Sequence, residues 1–331
     1  MSEKVVALVG ATGAVGTEML GVLEKRNFPV KDLKLFAAPE DKGKKIKFKG
    51  EELVVDVIND DSFKGVDIAL FSAGKGVSQN YKDLVVNSGA VMIDNSNAFR
   101  MDPDTPLITP EVNPGDIKNH KGVIANPNCS TIIMVVALWP IHQVSKIKRI
   151  VVSTYQAASG AGKPAMDELA AQSMQILKGE TPTKNIFPHQ IAFNLFSHNS
   201  DIQENGYCEE EMKMVNETKK MFHDDSIKIS ATTVRVPIMR AHSESINIEL
   251  EKRLEVDEVR KILEKAPGIK VVDDRAKNYF PMPNDVTGEY DTLVGRIRHD
   301  ISSDTGLDLF VVGDQLLKGA ALNAVQIAEL L

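Results

Sequence analysis

The chain is poor in cysteine, in aromatic residues and in excess charge of either sign. Two cysteines, Cys129 and Cys208, among 331 residues cannot build a disulfide framework. No grouping of Cys and His has zinc-ligand spacing, so a reducing compartment and no metal are expected. Lys and Arg number 39 against 46 Asp and Glu, a net charge of −7, with the cations scattered among acids. Such a chain has no basic field for nucleic acid or an anionic membrane. No apolar run approaches a membrane span, and "MSEKVVALVG" enters an apolar stretch without a basic leader, which makes the cytoplasm the expected location and small molecules the expected partners. What is present, 43% hydrophobic and 26% charged residues, is the composition of an ordinary globular protein, long enough for two domains.

Residues 4 to 26 read as strand, glycine-rich turn and helix, "KVVALVG", "ATGAVG" and "TEMLGVLEKR", the opening of a βαβ unit. Short apolar strands follow at "LKLFAA", "DIALFSAG" and "AVMIDNS", with "GVSQNYKDLVVNSG" as a crossover helix. Strands alternating with helices imply an α/β fold, a Rossmann-like, doubly wound parallel sheet. After residue 127 the pattern changes. "KRIVVSTYQAAS", "ISATTVRVPIM" and "SESINIELE" are longer β-branched strands, and helices are expected near 165–178 and 209–223. This predicts a second, α+β domain with an antiparallel or mixed sheet. The expected domains are 1–127, completed by a strongly amphipathic last helix over 315–331, and 128–314.

Gly10, Gly13 and Gly16 lie between the first strand and helix, where missing side chains let the backbone approach a pyrophosphate at the positive end of the helix. Tight strand-to-helix packing also asks for glycine, but the strand-to-helix context favours the dinucleotide site. In "FSAGKGVS", Gly74 and Gly76 would let Ser72 and Ala73 lie against the same ligand, or serve only the turn. In "ANPNCSTIIMVVALWPI", Pro127 excludes a helix through Asn126 and the apolar run starts at Ile132. Cys129 is therefore expected at or near the first turn of a helix, where N–H groups and the helix dipole favour the nucleophilic thiolate. Cys208 precedes three glutamates, whose charge opposes thiolate formation. It is expected to be unreactive.

"ANPNCSTI" together with "GATGAVG" resembles the bacterial aspartate-semialdehyde dehydrogenases, and the likeness continues through "IDNSNAFRMDPDTPLITPEVNP", "TYQAASGAG", "TVRVPIMRAHSE", "YFPMPNDVTG", "VGRIRHD" and "LKGAALNAVQIAE". The resemblance implies a homodimeric enzyme of lysine, threonine, methionine and isoleucine biosynthesis that reduces L-aspartyl 4-phosphate to the semialdehyde, releasing phosphate. It puts the nucleophile on Cys129, an orienting amide on Gln156 and an acid/base on His242. Substrate contacts fall on Asn128, Glu210, Arg235 and the phosphate-binding Arg100 and Lys213. NADP contacts fall on Gly10, Thr12, Gly13, Ala14, Val15, Gly16, Ala37, Ser72, Ala73, Gly74, Gly160 and Gln315.

The chemistry asks for such groups. A thiolate displaces phosphate, the thioester accepts hydride, and a hemithioacetal collapses to aldehyde. A histidine can move the proton, and an arginine fork can hold a carboxylate. Arg235 and His242 are seven apart, which a straight strand would place on opposite faces, so a break at Pro237 is expected. The family's usual arginine for the 2′-phosphate is missing from "LFAAPEDKGKK". An acidic side chain there, Glu40 or Asp41, suits a free ribose 2′-hydroxyl, with Lys42, Lys44 and Lys45 as the opposing charges, so NAD use is expected beside NADP. Gln315, Leu317 and Asn97 also depart from the family. The rival readings are N-acetyl-γ-glutamyl-phosphate reductase and a non-catalytic dinucleotide-binding paralogue.

Overall fold

In the computed structural model, which describes residues 2–331, the first strand is β1 (Lys4–Val9). Val6, Ala7, Leu8 and Val9 are all buried, because a parallel strand covered on both faces has no polar side to show. The chain then runs through α1 (Ala14–Lys25), β2 (Val30–Phe36), β3 (Lys45–Phe48), β4 (Glu51–Asp56), β5 (Ile68–Phe71), α2 (Lys75–Asn87), β6 (Val91–Asp94) and β7 (Val123–Ala125). The sheet order is β3-β4-β2-β1-β5-β6-β7. Every pairing is parallel except β3 with β4. The expected doubly wound parallel sheet is thus present, with an antiparallel strand added at its edge. The strands of this edge are mostly exposed and rich in Lys and Glu, a protected edge without the apolar run that announces a strand.

The second sheet is mixed, in the order β12-β13-β14-β11-β8-β10-β9. Along the chain its elements are α3 (Cys129–Val144), β8 (Ile147–Gln156), α4 (Lys163–Leu177), β9 (Phe196–Ser197), α5 (Glu209–Phe222), β10 (Lys228–Arg235), β11 (His242–Leu250), α6 (Val256–Glu264), β12 (Ile269–Val271), α7 (Pro283–Val286), β13 (Thr292–His299) and β14 (Gly306–Gly313). Ser130 to Leu138 of α3 are buried without interruption, as befits a helix apolar all round. It packs on α5, α6 and one face of the sheet.

Two compact units result, Met1–Asn128 with Ala320–Leu331, and Cys129–Gly319. Asn128 thus belongs to the first unit and not to the second as expected, and the return begins at Ala320 rather than at residue 315. The expected single amphipathic helix over 315–331 is also corrected. Asp314 Oδ1 accepts the N–H groups of Leu316 and Leu317 at 3.0 and 3.3 Å, a side-chain turn that postpones the helix. A π-helical turn, Leu317–Ala321, then leads into α8 (Leu322–Ala328). From Asp314 to Val325 every residue is buried, so this segment has no solvated face.

Candidate active site

Register assembles the site in the second unit. β8 lies between β10 and β11, parallel to the first and antiparallel to the second, so the end of β8, the end of β10 and the start of β11 meet at one edge. Gln156 stands opposite Arg235, and Thr154 opposite Glu244. Opposed residues share a sheet face, which puts Gln156, Arg235 and His242 side by side. The interval of seven between Arg235 and His242 is thus a crossing between strands, since β10 stops before Pro237. Gly160 fits among them. A Cβ there would lie 2.7 Å from the Arg235 guanidinium and 3.1 Å from the His242 ring.

Cys129 is the first residue of α3, as its sequence setting predicts. The next residue, Ser130, holds the α3 turn to β8, since Gln156 Nε2 donates to its Oγ at 2.9 Å. The same amide nitrogen donates to Glu210 Oε1 at 3.1 Å. Lys213 Nζ lies 3.3 Å from Glu210 and 3.2 Å from Glu209. Glu210 is buried, so this pair is not the solvated surface pair its spacing would equally allow. Gly319 backs Cys129, for a Cβ on it would come within 2.9 Å of Cys129 Cβ. Cys208 instead caps α5. It is buried, with its Sγ 3.4 Å from Thr233 Oγ1.

His242 is fully buried. Ala157 N–H donates to its Nδ1 at 3.1 Å, and Nε2 is buried with no partner. Burial, reinforced by the neighbouring Arg235 cation, pulls its pKa down to about 3. The ring is therefore neutral at pH 7, and Nδ1 as acceptor leaves the proton on Nε2. The preceding Ala241 has φ +75, unusual for a residue with a Cβ. Gln315 holds it there: its Oε1 accepts Ala241 N–H at 2.8 Å, and its Nε2 donates to Ser159 Oγ. The carboxamide expected at a cofactor thus anchors the approach to His242, and Gly160, expected there too, lies against Arg235 and His242.

Arg235 is buried. Its Nη1 donates to Ala157 O at 3.2 Å and Nη2 to His198 Nε2 at 2.8 Å, with Phe187 5.8 Å beneath the guanidinium. Burial lowers its pKa, opposed by Glu210 and Cys129. Neither His198 nor Phe187 nor Ser130 was legible beforehand, because nothing in residue type or spacing separates them from ordinary loop and core positions.

Glu244, one step along β11 on the same face, is fully buried with neither oxygen partnered. Desolvation raises its pKa well above the usual 4.5. A raised carboxyl contributes stability below the unfolded pKa, and that contribution is lost as pH rises toward the folded value. Glu244→Gln, which cannot ionise, is expected to match the parent near pH 4 and to exceed its stability by about 1 to 3 kcal/mol at pH 8. Urea unfolding at both pH values checks this; equal stability at pH 8 would mean the carboxyl ionises without cost. The histidine works in the opposite sense, since His242, depressed when folded, removes stability as pH falls from about 6.5 toward 3.

In the first unit a cavity of about 660 Å³ opens beyond the carboxyl ends of β1, β2 and β5, where strand order reverses. Open α/β sheets receive ligands at this switch point. Its lining includes Gly10, Thr12, Gly13, Ala37, Ser72 and Ala73, with Ile58, Val77 and Tyr81 as apolar walls. Gly13 and Gly74 precede the first turns of α1 and α2. Gly10 and Gly16 serve the loop itself: Gly10 has φ +86, and a Cβ on either would lie 2.2 or 2.1 Å from a backbone oxygen. Ala14 and Val15 open α1 without lining the cavity.

Of the two acids after β2, it is Asp41 that lines this cavity. Residues 39–41 form a 3₁₀ turn, whose tight pitch sends successive side chains in different directions. Glu40 is exposed, while Asp41 lines the cavity and is bonded to Lys44 and Thr12, which lower its pKa. The opposing lysines are engaged: Lys44 with Asp41, Lys42 with Asp56 at 3.0 Å and Lys45 with Glu52 at 2.9 Å. Arg100, also in this unit, is buried and donates to Asn126 O and Asn95 O at 2.9 Å. Asn128 is buried as well. Among the described residues, no group of three or more His, Cys, Asp or Glu is placed to hold a metal ion, and no helix is long and apolar enough to cross a membrane.

Residues 5–120 match the family model for the semialdehyde dehydrogenase NAD binding domain, and residues 138–318 that for the semialdehyde dehydrogenase dimerisation domain. The aspartate-semialdehyde dehydrogenase of a Synechocystis species is 56% identical over 326 residues, covering 98% of this chain and 96% of its own. That of Aquifex aeolicus is 53% identical over 330 residues, covering 98% and 97%. Among solved structures, aspartate semialdehyde dehydrogenase II of Vibrio cholerae, complexed with ASA, superposes with a TM-score of 0.97 at 45% identity, covering 99% of this chain and 98% of the other.

Proposed function

The chain belongs to the aspartate-semialdehyde dehydrogenase family, and on that premise we propose that its second unit carries the family's reductive dephosphorylation of L-aspartyl 4-phosphate, with Cys129 as nucleophile. It is an NAD(P)-dependent oxidoreductase acting on the aldehyde group. The relatives support this reading and not the reductase of N-acetyl-γ-glutamyl phosphate. The observation that carries it is the meeting of Gln156, Arg235 and His242 at one sheet edge, with Gln156 bonded to the first turn of the helix that Cys129 begins.

Cys129 as thiolate attacks the acyl carbon, the bond from carbon to the phosphate oxygen breaks, and a thioester remains. The nicotinamide, when bound, supplies the hydride that turns the thioester into a hemithioacetal. His242 Nε2–H is oriented by Ala157 to donate to the oxygen that becomes negative in these steps. As the carbon–sulfur bond breaks, the hemithioacetal hydroxyl gives its proton back to His242 Nε2, which returns the thiolate and frees the aldehyde. Arg235 offers its fork to the α-carboxylate, and Glu210 its charge to the amino group. Arg100 and Lys213 are the proposed phosphate cations, and Asn128 a further substrate contact.

The first unit's cavity fits a dinucleotide: two helix starts for the pyrophosphate, a small-residue floor and apolar walls for a flat base. Ser72, Ala73 and Gly74 support it from the second loop. Asp41, with its lysine neighbours already paired to acids, favours a 2′-hydroxyl and disfavours a 2′-phosphate. NAD is therefore proposed to serve alongside NADP. The dimerisation-domain match supports a homodimer, and the two free thiols a cytoplasmic setting.

The experiment is a phosphate-dependent assay with aspartate semialdehyde, run in parallel with NAD and NADP, together with equilibrium binding of each cofactor. Losing one charge-assisted hydrogen bond would narrow a typical NADP preference by about one to two orders of magnitude. A preference for NADP above about a thousandfold would mean that the lysines bind the phosphate after all.

A further inference from the structure

We infer that His198 is a positioning residue that sets the direction of the Arg235 fork, so that carboxylate recognition rests on a neutral histidine. The inference builds on the proposed role of Arg235. Delivery of His198 is a backbone arrangement: β9, only Phe196–Ser197, pairs antiparallel with β10, bringing Phe196 opposite Arg235. His198 N–H then donates to Thr233 O at 2.9 Å. The imidazole is carried beside the guanidinium, where Nη2 lies 2.8 Å from Nε2.

Arginine has no acceptor, so this short contact requires a lone pair on His198 Nε2 and a proton on Nδ1. The backbone N–H of Ser200 also lies 3.2 Å from Nδ1, a contact for which this tautomer leaves no lone pair; Ser200 Oγ, at 3.1 Å, receives the Nδ1 proton. It also accepts the backbone N–H of Glu210 at 3.1 Å. Burial first, with the Arg235 and Lys213 cations, against Glu210 and Glu211, holds the pKa of His198 at about 4, which agrees with the neutral ring that geometry demands. One connected path thus runs from the Arg235 guanidinium through His198 and Ser200 to the backbone of Glu210, the two groups proposed to receive the substrate's carboxylate and amine.

Without His198, Ala157 O would be the one remaining hydrogen-bond acceptor holding the fork, over Phe187. A guanidinium free to turn loses the alignment that makes two-pronged binding strong. His198→Leu is expected to raise the KM for aspartate semialdehyde about ten- to a hundredfold, with kcat within about threefold and the constants for phosphate and dinucleotide unchanged. In His198→Gln the amide oxygen reaches the place of Nε2, and KM should return to within about threefold of the parent. If the leucine variant does not fold, His198→Asn, whose shorter amide falls short of Arg235, takes its place in the comparison. An unchanged KM in the leucine or asparagine variant overturns the inference, as does equal impairment of the glutamine variant or a parallel loss of phosphate and dinucleotide affinity. A parent enzyme that fails to turn over aspartate semialdehyde would instead overturn the proposed function, and that arm is measured first.

Discussion

Cys129→Ala is expected to lose turnover by a factor on the order of 10,000 or more while dinucleotide binding persists. Alanine keeps the start of α3 and fits the space in front of Gly319, so what disappears is the sulfur alone. No neighbouring group can replace it: Gln156 is an amide, Glu210 is held by Gln156 and Lys213, and Cys208 is buried at the start of α5. Without a thioester there is no acyl acceptor for hydride, and both directions of the reaction stop. Cys208→Ser, which puts a capping hydroxyl in place of the thiol, should keep most of the activity. Steady-state rates with both substrates, and fluorescence titration of the cofactor, separate the two effects; substantial turnover by the Cys129 variant would falsify the covalent route.

The second large effect is expected at His242. In His242→Asn the amide oxygen can still accept Ala157 N–H in place of Nδ1, so the backbone tie at 3.1 Å is kept and only Nε2 is removed. A positioned proton donor contributes about a hundred- to ten-thousandfold, and kcat should fall by that factor. KM for the semialdehyde should move by no more than about threefold, because recognition is proposed to rest on Arg235 and Glu210. A kcat within about tenfold of the parent would assign the ring to packing rather than to the reaction. Since His242 is neutral down to about pH 3, its ionisation should not produce an inflection in the free enzyme's rate profile between pH 5 and 8.

The features that the sequence made legible are those in which one local force dominates. β1 reads clearly because burial on both faces demands an unbroken apolar run, and the loop after it because Gly10 must adopt positive φ against Ser72 O. Cys129 could be placed at a helix start because Pro127 stops any earlier helix and the apolar run enforces one afterwards. Features decided by long-range pairing were not readable. The β3–β4 edge carries its charges outward and looks like loop. Asp41 and Glu40 are indistinguishable as residue types, and the turn between β2 and β3 chooses between them. Gln156, Arg235 and His242 gained their places from family likeness; what brings them together is the register of three strands, which no periodicity within one strand encodes. His198 lay furthest from view, because its meaning depends on a two-residue strand and on an arginine 37 positions later.

The discontinuous make-up of the first unit carries a consequence for how the polypeptide acquires its structure. α8 rests on α1 and β6. Asn323 Nδ2 donates to Ile108 O at 2.9 Å and to Asn126 Oδ1 at 2.7 Å, while Glu329 grips Arg26 at 2.6 Å. The first 128 residues therefore leave the ribosome with part of their apolar surface uncovered, and the whole of Cys129–Gly319 must be translated before Ala320–Leu331 can cover it. Closing contacts over 200 to 300 positions of chain makes the last step of maturation slow relative to the helices and hairpins formed on the way. Until then the nascent nucleotide-binding half is the part exposed to aggregation and to chaperones, and the segment that ends this exposure emerges only after the whole second unit.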